Sequence, residues 1–357
     1  MEVTPEHLDA LYTALSRAQQ AAPLQRGAAA RDVVAVRRGV ALAPHTSIRI
    51  GGQADLFLAA TRVEQVVAAL RAAPAHGVPC RVIGGASNLL VSDAGVTGLV
   101  VKSMLASPVR YVARAEAPGR VTAVAGAGYP LARLARESAK RGLAGLVWAS
   151  NVPGTVGAAV VNNAGAFGGA MAEVLERALV VDAAGATAYL APDDLAMAYR
   201  STRLKRRELD AVVLEAEIGL TEGDSERLAA DLRAVREQRR RTQPAGFSVG
   251  STFTNPPGDS AGRLIDAAGL KGRRVGGAEV SSLHANFILN RGGATAEDVY
   301  TLMRAMQDTV YARTGTWLVP EVQLIGRWPP EALAALAGPP QPVGGEPSAV
   351  AALPGGA

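Results

Sequence analysis

The spacing of apolar positions changes period many times along this 357-residue chain, and each change predicts an element. "MEVTPEHLDALYTALSRAQQ" (1–20) carries a helical stripe and is followed by an Ala-rich linker to about Arg38. Together they read as an N-terminal extension, 1–38, lying outside the main fold. "TSIRIGGQADLFLAA" (46–60) is strand-like, "RVEQVVAALRAAPAHG" (62–77) helical and "CRVIGG" (80–85) an apolar strand, so the three form a β-α-β unit. "TGLVVKS" (97–103) is a further strand, and "VRYVARAEAPGRVTAVAG" (109–126) is a hairpin turning at Pro118-Gly119. The helix "YPLARLARESAKRG" (129–142) stops at Gly142.

Beyond it lie a second hairpin, "LERALVVDAAGATAYLAP" (175–192), and the strand "DAVVLEAEIGL" (210–220). "DSERLAADLRAVREQRRRTQ" (224–243) is a helix ended by Pro244, and "GSTFTNPPG" (250–258) is a loop around a short strand. The helix "DSAGRLIDAAGLKG" (259–272) and the strands "RVGGAEV" (274–280) and "NFILN" (286–290) follow. A helix at 294–315 opens on a Thr295–Asp298 capping box, and "PEVQLIG" (320–326) is the last strand. Helices and strands interleave irregularly, which predicts an α+β fold rather than a doubly wound parallel sheet. The Pro-, Gly- and Ala-rich segment 329–357 reads as a disordered tail.

Composition narrows the class. Hydrophobic residues make up 48% of the chain but aromatics only 4%, so tight backbone packing rather than aromatic clustering is expected. Lys and Arg exceed Asp and Glu by 37 − 32 = 5. The densest basic runs, "RSTRLKRRE" (200–208) and "REQRRRT" (236–242), lack aromatic partners for bases and read as solvated faces rather than a nucleic-acid groove. A single cysteine, Cys80, excludes an internal disulfide framework, and no His/Asp/Glu cluster has metal-ligand spacing. The acidic start lacks the basic and apolar regions of a signal peptide, so a cytoplasmic location is expected.

One stretch, 142–172, has no charged side chain, and includes "VPGTVGAAVVNNAGAFGGA" (152–170). Pro153, Asn151, Asn162, Asn163 and the glycines argue against a membrane helix, leaving buried backbone against a core or a large ligand. Glycine clusters also occur at "RIGG" (49–52), "IGGASN" (83–88), "GAG" (126–128) and "PGTVG" (153–157). Such loops bring N–H groups close to an anion, yet none has dinucleotide-fingerprint or P-loop spacing, and each taken alone reads as a structural turn.

The ordered series "HTSIRIGGQADLFL", "IGGASNLLVSDAGVTGLVV", "VPGTVGAAVVNNAGAFGG", "AYRSTRL", "GSTFTNPP", "AGRLIDAAGLKGRRVGGAEVSSLHANFILNRGGATAEDV" and "PEVQLIG" resembles the UDP-N-acetylenolpyruvoylglucosamine reductase (UDP-N-acetylmuramate dehydrogenase) family, from about Thr46 to Gly326. The resemblance implies an FAD-binding domain of the vanillyl-alcohol-oxidase (PCMH) type in two lobes, 39–105 and 106–221, and a C-terminal α+β substrate-binding domain, 222–328. It implies FAD as cofactor and NADPH as co-substrate, with UDP-N-acetylglucosamine enolpyruvate reduced to UDP-N-acetylmuramate for peptidoglycan. Hydride passes from flavin N5 to the enolpyruvyl C3, and a proton reaches C2. No nucleic acid, membrane or obligate protein partner is implied.

Residue by residue, the resemblance makes Ser251 the proton donor, Arg200 the carboxylate-binding arginine and Glu321 the catalytic glutamate, whose pKa burial should raise. It assigns cofactor contacts to Arg49, Ile50, Gly51, Gly52, Gly84, Gly85, Ala86, Ser87, Asn88, Pro153, Gly154, Thr155, Gly157, Ala158 and Gly165. Substrate contacts fall on Tyr199, Asn255, Lys271 and His284. Ala86, Ala158, Asn151 and Thr254 depart from the family pattern, and the two alanines are tolerable where φ is negative. The short connection after Arg200 resembles the subtype lacking an inserted substrate-covering tyrosine loop. Another oxidoreductase on the same FAD-binding fold, and a non-catalytic flavin or nucleotide-sugar binding protein, remain alternatives.

Overall fold

Four strands, in the order Arg37–Ala41, Gln53–Ala60, Val96–Ser103, Cys80–Ile83, open the α+β architecture of the computed structural model, which describes residues 3–21 and 35–339. Gln53–Ala60 and Cys80–Ile83 both run parallel to the central Val96–Ser103, so the expected β-α-β unit crosses over with a third strand between its two. Alternating side chains of these strands feed two cores. Leu56, Leu58, Leu99 and Val101 meet the helix Val63–Ala75, whereas Phe57, Ile83 and Val100 meet Leu42, Val91 and Ile325.

The helix Pro5–Ala21 does not lie outside this fold, as the sequence suggested. Its Leu11 and Leu15 are buried in the same core as Val66 and Ala69, and Arg38 both pairs with Asp9 and covers the Tyr12 ring. The helical stripe that predicted the element is the face it buries. Arg37–Ala41 extends the sheet where only a linker end was foreseen. The segment 46–52 is loop, and the strand starts only at Gln53. The Ala-rich part of the linker, 22–34, lies outside the described residues.

A second, antiparallel sheet follows the order Thr187–Leu190, Leu175–Asp182, Ala211–Glu222, Arg120–Gly126, Arg110–Ala113. Both expected hairpins are present, and Gly119 (φ 78°) supplies the left-handed position at the Pro118-Gly119 turn. The charge-free stretch is, as expected, largely buried, and part of it is helical. Val156–Asn162 is a short helix that buries Val156, Ala159 and Val160 against the second sheet, closed by Asn163 in the left-handed region at φ 40°.

The helix Ser225–Thr242, capped by the Asp224 carboxylate, leads to a third sheet of Phe247–Ser251, Phe287–Asn290, Ala278–Val280 and Arg274–Val275. "RVGGAEV" is thus a tight hairpin rather than one strand. The helix Ala296–Thr314 has its capping box at Thr295 and Asp298, and Asp93, just after the strand Leu89–Val91, also accepts from its Ala296 and Glu297 N–H groups at 2.9 and 3.1 Å. The final strand, Gln323–Ile325, returns to run parallel with Leu89–Val91. That return carries residue 321 to the loop 84–88.

The start of the segment read as a disordered tail is ordered. Pro330–Ala337 is a helix whose Leu336 is buried beside Trp328, while Tyr300, Arg304 and Gln307 donate hydrogen bonds to its carbonyls. Composition hid it, because Pro and Ala mask a single docking leucine. Residues 340–357 lie outside the described region.

Candidate active site

The two central glycine loops touch each other. A Cβ on Gly85 would stand 2.9 Å from Gly154 Cα, and one on Gly84 would stand 2.4 Å from Thr155 Oγ1, so neither position admits a side chain. Ser87 Oγ donates to the Pro153 carbonyl at 3.2 Å and locks the loops together. Beside them lies a cavity of about 370 Å³. Its wall includes Gly84, Ala86, Ser87, Asn88, Pro153, Gly154, Thr155, Gly157, Ala158 and Gly165 together with Arg200, Ser251 and Glu321. Thirteen residues singled out from sequence therefore meet on one surface.

That surface suits a flavin nucleotide. It is largely backbone and small side chains, and the Thr155 hydroxyl is buried on it without a protein partner. A buried hydroxyl without a partner costs about 1–3 kcal/mol, which a ligand oxygen would relieve. Ala158 sits within the short helix and stays out of the left-handed region, where its methyl is accommodated. Ala86 does not meet the same condition. Its φ is 48°, so the methyl is carried in a conformation that favours glycine. The Ser47 N–H bond to the Ala86 carbonyl, at 3.3 Å, helps hold it there.

Ser251 ends the strand Phe247–Ser251 opposite Phe287. Pairing slips by one residue between Ser248 and Ser251, and Gly250 takes φ 77° in that bulge. Bulges re-aim side chains, and this one brings Ser251 to the cavity. Glu321 is placed by backbone on both sides. Its N–H donates to the Thr252 carbonyl at 2.9 Å and its carbonyl accepts from Asn88 Nδ2 at 2.9 Å.

Arg200 Nη2 donates to the Gly165 carbonyl at 2.6 Å, and its Nε lies 2.9 Å from Glu321 Oε1. Arg200 and Glu321 therefore form a close ion pair. Burial pushes the Glu321 pKa up, against the opposing pull of Arg200 and Lys205. A carboxyl whose proton affinity burial raises, lining one cavity with a guanidinium and a serine hydroxyl, can help stabilise a developing carbanion and manage one proton.

Nine other sequence candidates do not line the cavity. Ile50 is buried in the C-terminal core, while Gly51 and Gly52 are packed against Val91 and the Asp93 backbone. Arg49 is exposed over the Phe247 ring, and Gly85 spends its lack of side chain on the loop contact. Tyr199 is exposed, Asn255 accepts from the Ala261 N–H and Lys271 pairs with Asp266. His284 lies edge-on to Phe287 with its pKa pulled down by burial.

Sequence reading missed Arg239, Gln243 and Gln323, all on the cavity wall. Arg239 was hidden in a basic run, but it shares a stripe with Leu228, Leu232 and Val235 at helical spacing, which marks the inward face. It donates to the Asn151 carbonyl, whereas Arg240 and Arg241 face Glu237 at the surface. Gln323 Nε2 donates to Asn162 Oδ1 at 3.1 Å and ties the last strand to the short helix.

Comparison with known proteins agrees with this geometry. A family model described as the C-terminal domain of UDP-N-acetylenolpyruvoylglucosamine reductase matches residues 243–325, and one described as an FAD binding domain matches 54–190. The chain is 44% identical to UDP-N-acetylenolpyruvoylglucosamine reductase 2 of Symbiobacterium thermophilum over 84% of its length and 95% of the relative's. It is 43% identical to the reductase of Anaeromyxobacter dehalogenans, over 86% and 93% respectively. The crystal structure of the Thermus caldophilus reductase superposes with a TM-score of 0.68 at 34% identity, covering 82% of this chain and 99% of that one.

Proposed function

Because the chain belongs to the UDP-N-acetylenolpyruvoylglucosamine reductase family, we propose that its cavity reduces the enolpyruvyl group of UDP-N-acetylglucosamine enolpyruvate, giving UDP-N-acetylmuramate for peptidoglycan synthesis. The cofactor is FAD and the reductant NADPH. FAD supplies, when bound, the relay by which hydride from NADPH reaches the enolpyruvyl C3. The chain's own residues do the rest. Residues 84–88 and 153–158 hold the cofactor through backbone and the Thr155 hydroxyl. Arg200 takes the substrate carboxylate and stabilises the negative charge that develops at C2. Ser251 delivers the proton to C2, and Glu321 keeps Arg200 aimed and the site's protonation matched to that step.

One observation carries this reading: Ser251, Arg200 and Glu321, 121 residues apart at the extremes of 321 − 200, line one cavity with the glycine loops. A non-catalytic binder has no use for a buried ion pair beside a re-aimed serine. We divide the chain accordingly into FAD-binding lobes at 39–105 and 106–221, the first completed by the helix Pro5–Ala21 and the start of the strand Arg37–Ala41, and a substrate-binding unit at 222–328. Among the described residues no helix is long and apolar enough to cross a membrane. The cytoplasm, where NADPH and nucleotide sugars are made, is the proposed location.

The test is half-reaction kinetics of Ser251→Ala. Flavin bleaching by NADPH should match wild type, while reoxidation by the enolpyruvyl sugar nucleotide should slow by roughly a hundredfold or more. Equal loss in both halves removes Ser251 from proton delivery, and wild-type flavin that stays bleached with this substrate overturns the activity.

A further inference from the structure

Arg200 stands at the tip of a tight turn that its side chain type does not favour. Ala198 and Ser201 exchange backbone hydrogen bonds of 2.9 and 3.0 Å across Tyr199 and Arg200, and Arg200 takes φ 54°. A left-handed third turn position is normally given to glycine, and a side chain there costs about 1 kcal/mol or more. Something must hold the turn. Asn163 Nδ2 donates to the Ala198 carbonyl at 2.8 Å, and buried Thr202 donates to the Val161 carbonyl at 2.6 Å. The Arg200 carbonyl itself receives Lys205 Nζ at 2.8 Å.

Lys205 belongs to the basic run 200–208 that reads, from sequence, as a solvated face. Its neighbours Arg203 and Arg206 fit that description, each lying within 4.0 Å of Glu208. Lys205 does not. It is half-buried, and burial pulls its pKa down while Glu321 pulls it up. Its backbone N–H is fixed on Thr202 Oγ1 at 3.1 Å, so the ammonium is directed back beneath the turn. An amide or hydroxyl could serve the Arg200 carbonyl alone. A charge there also acts on the Arg200–Glu321 pair.

Resting on the reductase reading above, we propose that Lys205 is a positioning residue for the substrate-reducing half-reaction. Its ammonium clamps the Arg200 backbone in the turn and sets the charge balance of the Arg200–Glu321 pair that meets the substrate carboxylate. The charged groups acting on Glu321 are Arg200 from the same turn and Lys205 beneath it, and Ser251 and Asn88 supply only neutral neighbours.

The experiment compares wild type, Lys205→Met and Lys205→Gln as FAD-loaded enzymes over a pH series. In Lys205→Met, flavin reduction by NADPH stays within about twofold of wild type. Reoxidation by the enolpyruvyl sugar nucleotide falls ten- to a hundredfold in kcat with little change in KM. The limb of its pH profile set by Glu321 moves to higher pH, because a cation that favours the carboxylate is gone. Lys205→Gln keeps a donor for the Arg200 carbonyl, so it recovers most of the rate while the displaced limb remains. Rate and profile unchanged in both variants overturn the proposal, as does a loss shared equally by the two half-reactions. A merely structural residue would lower rates without moving the limb. Failure of the reductase reading is separately visible, since wild-type flavin would then not be reoxidised by this substrate at any pH.

Discussion

Arg200 Nε and Glu321 Oε1 lie 2.9 Å apart in a pair that is largely removed from solvent, joining the turn 198–201 to the residue two places before the strand Gln323–Ile325. Removing one partner of a buried pair leaves the other uncompensated, so the pair behaves as a unit. Arg200→Lys keeps charge but loses the planar fork that can hold Gly165, Glu321 and a carboxylate together. The substrate-reducing half-reaction of this variant should fall by about a hundredfold with flavin reduction intact. A variant with wild-type reoxidation would show that the guanidinium geometry is not used.

Burial raises the Glu321 pKa, which gives its contribution to stability a definite sign. A carboxyl whose folded pKa lies above its unfolded value stabilises fully below the unfolded pKa, near 4.3, and that contribution is lost as pH rises through the folded value. Glu321→Gln cannot ionise. Its melting temperature relative to wild type should therefore rise between pH 4 and pH 7. A difference that is constant with pH would show that Arg200 and Lys205 fully offset the cost of burial.

The Thr155 hydroxyl is buried on the cavity wall with no protein partner. Thr155→Val keeps the shape and removes the hydroxyl. If a cofactor oxygen supplies its missing partner, FAD affinity measured by titrating apoprotein should weaken about tenfold, in line with one hydrogen bond to a charged group. The unfolding midpoint of the apoprotein should hold or rise. Unchanged affinity would separate this hydroxyl from the cofactor.

Features decided within a few residues are legible in the chain, whereas those decided by tertiary packing are not. The Thr295–Asp298 capping box and the Pro118-Gly119 hairpin are decided within a few residues, and both are present. Arg239 and Lys205 looked like members of solvated basic runs, because what distinguishes them is the inward face of a helix and the underside of a turn. The motif-bearing residues Ser251, Arg200 and Glu321 line one cavity, whereas Lys271 and Asn255 are occupied by Asp266 and the Ala261 N–H. A motif names a residue, but its partner in space decides whether it faces the cavity.

The helix Pro330–Ala337 shows the same limit at the other end of the chain, and it can be tested directly. Leu336 is buried with Trp328 and Met306, and the carbonyls of its helix take side-chain bonds from Tyr300 and Gln307. Leu336→Ala should cost about 2–4 kcal/mol in urea unfolding. A loss under about 0.5 kcal/mol, the scale of a surface substitution, would mean that the helix does not contribute to the core.

Ala86 and Ala158 invite opposite expectations, although each stands where the family pattern has glycine. Ala86 carries its methyl at φ 48°, so Ala86→Gly relieves left-handed strain and should stabilise the protein by about 1 kcal/mol. Ala158 lies inside Val156–Asn162, where Ala158→Gly sacrifices helix propensity and should destabilise by a similar amount, about 1 kcal/mol. The Ala158 Cβ also stands near the space a side chain on Gly84 would need, at 3.3 Å, so its loss opens the wall beside the glycine loop. Equilibrium unfolding of the two variants decides the matter by sign. The same sign for both would show that backbone conformation at these positions does not govern their stability.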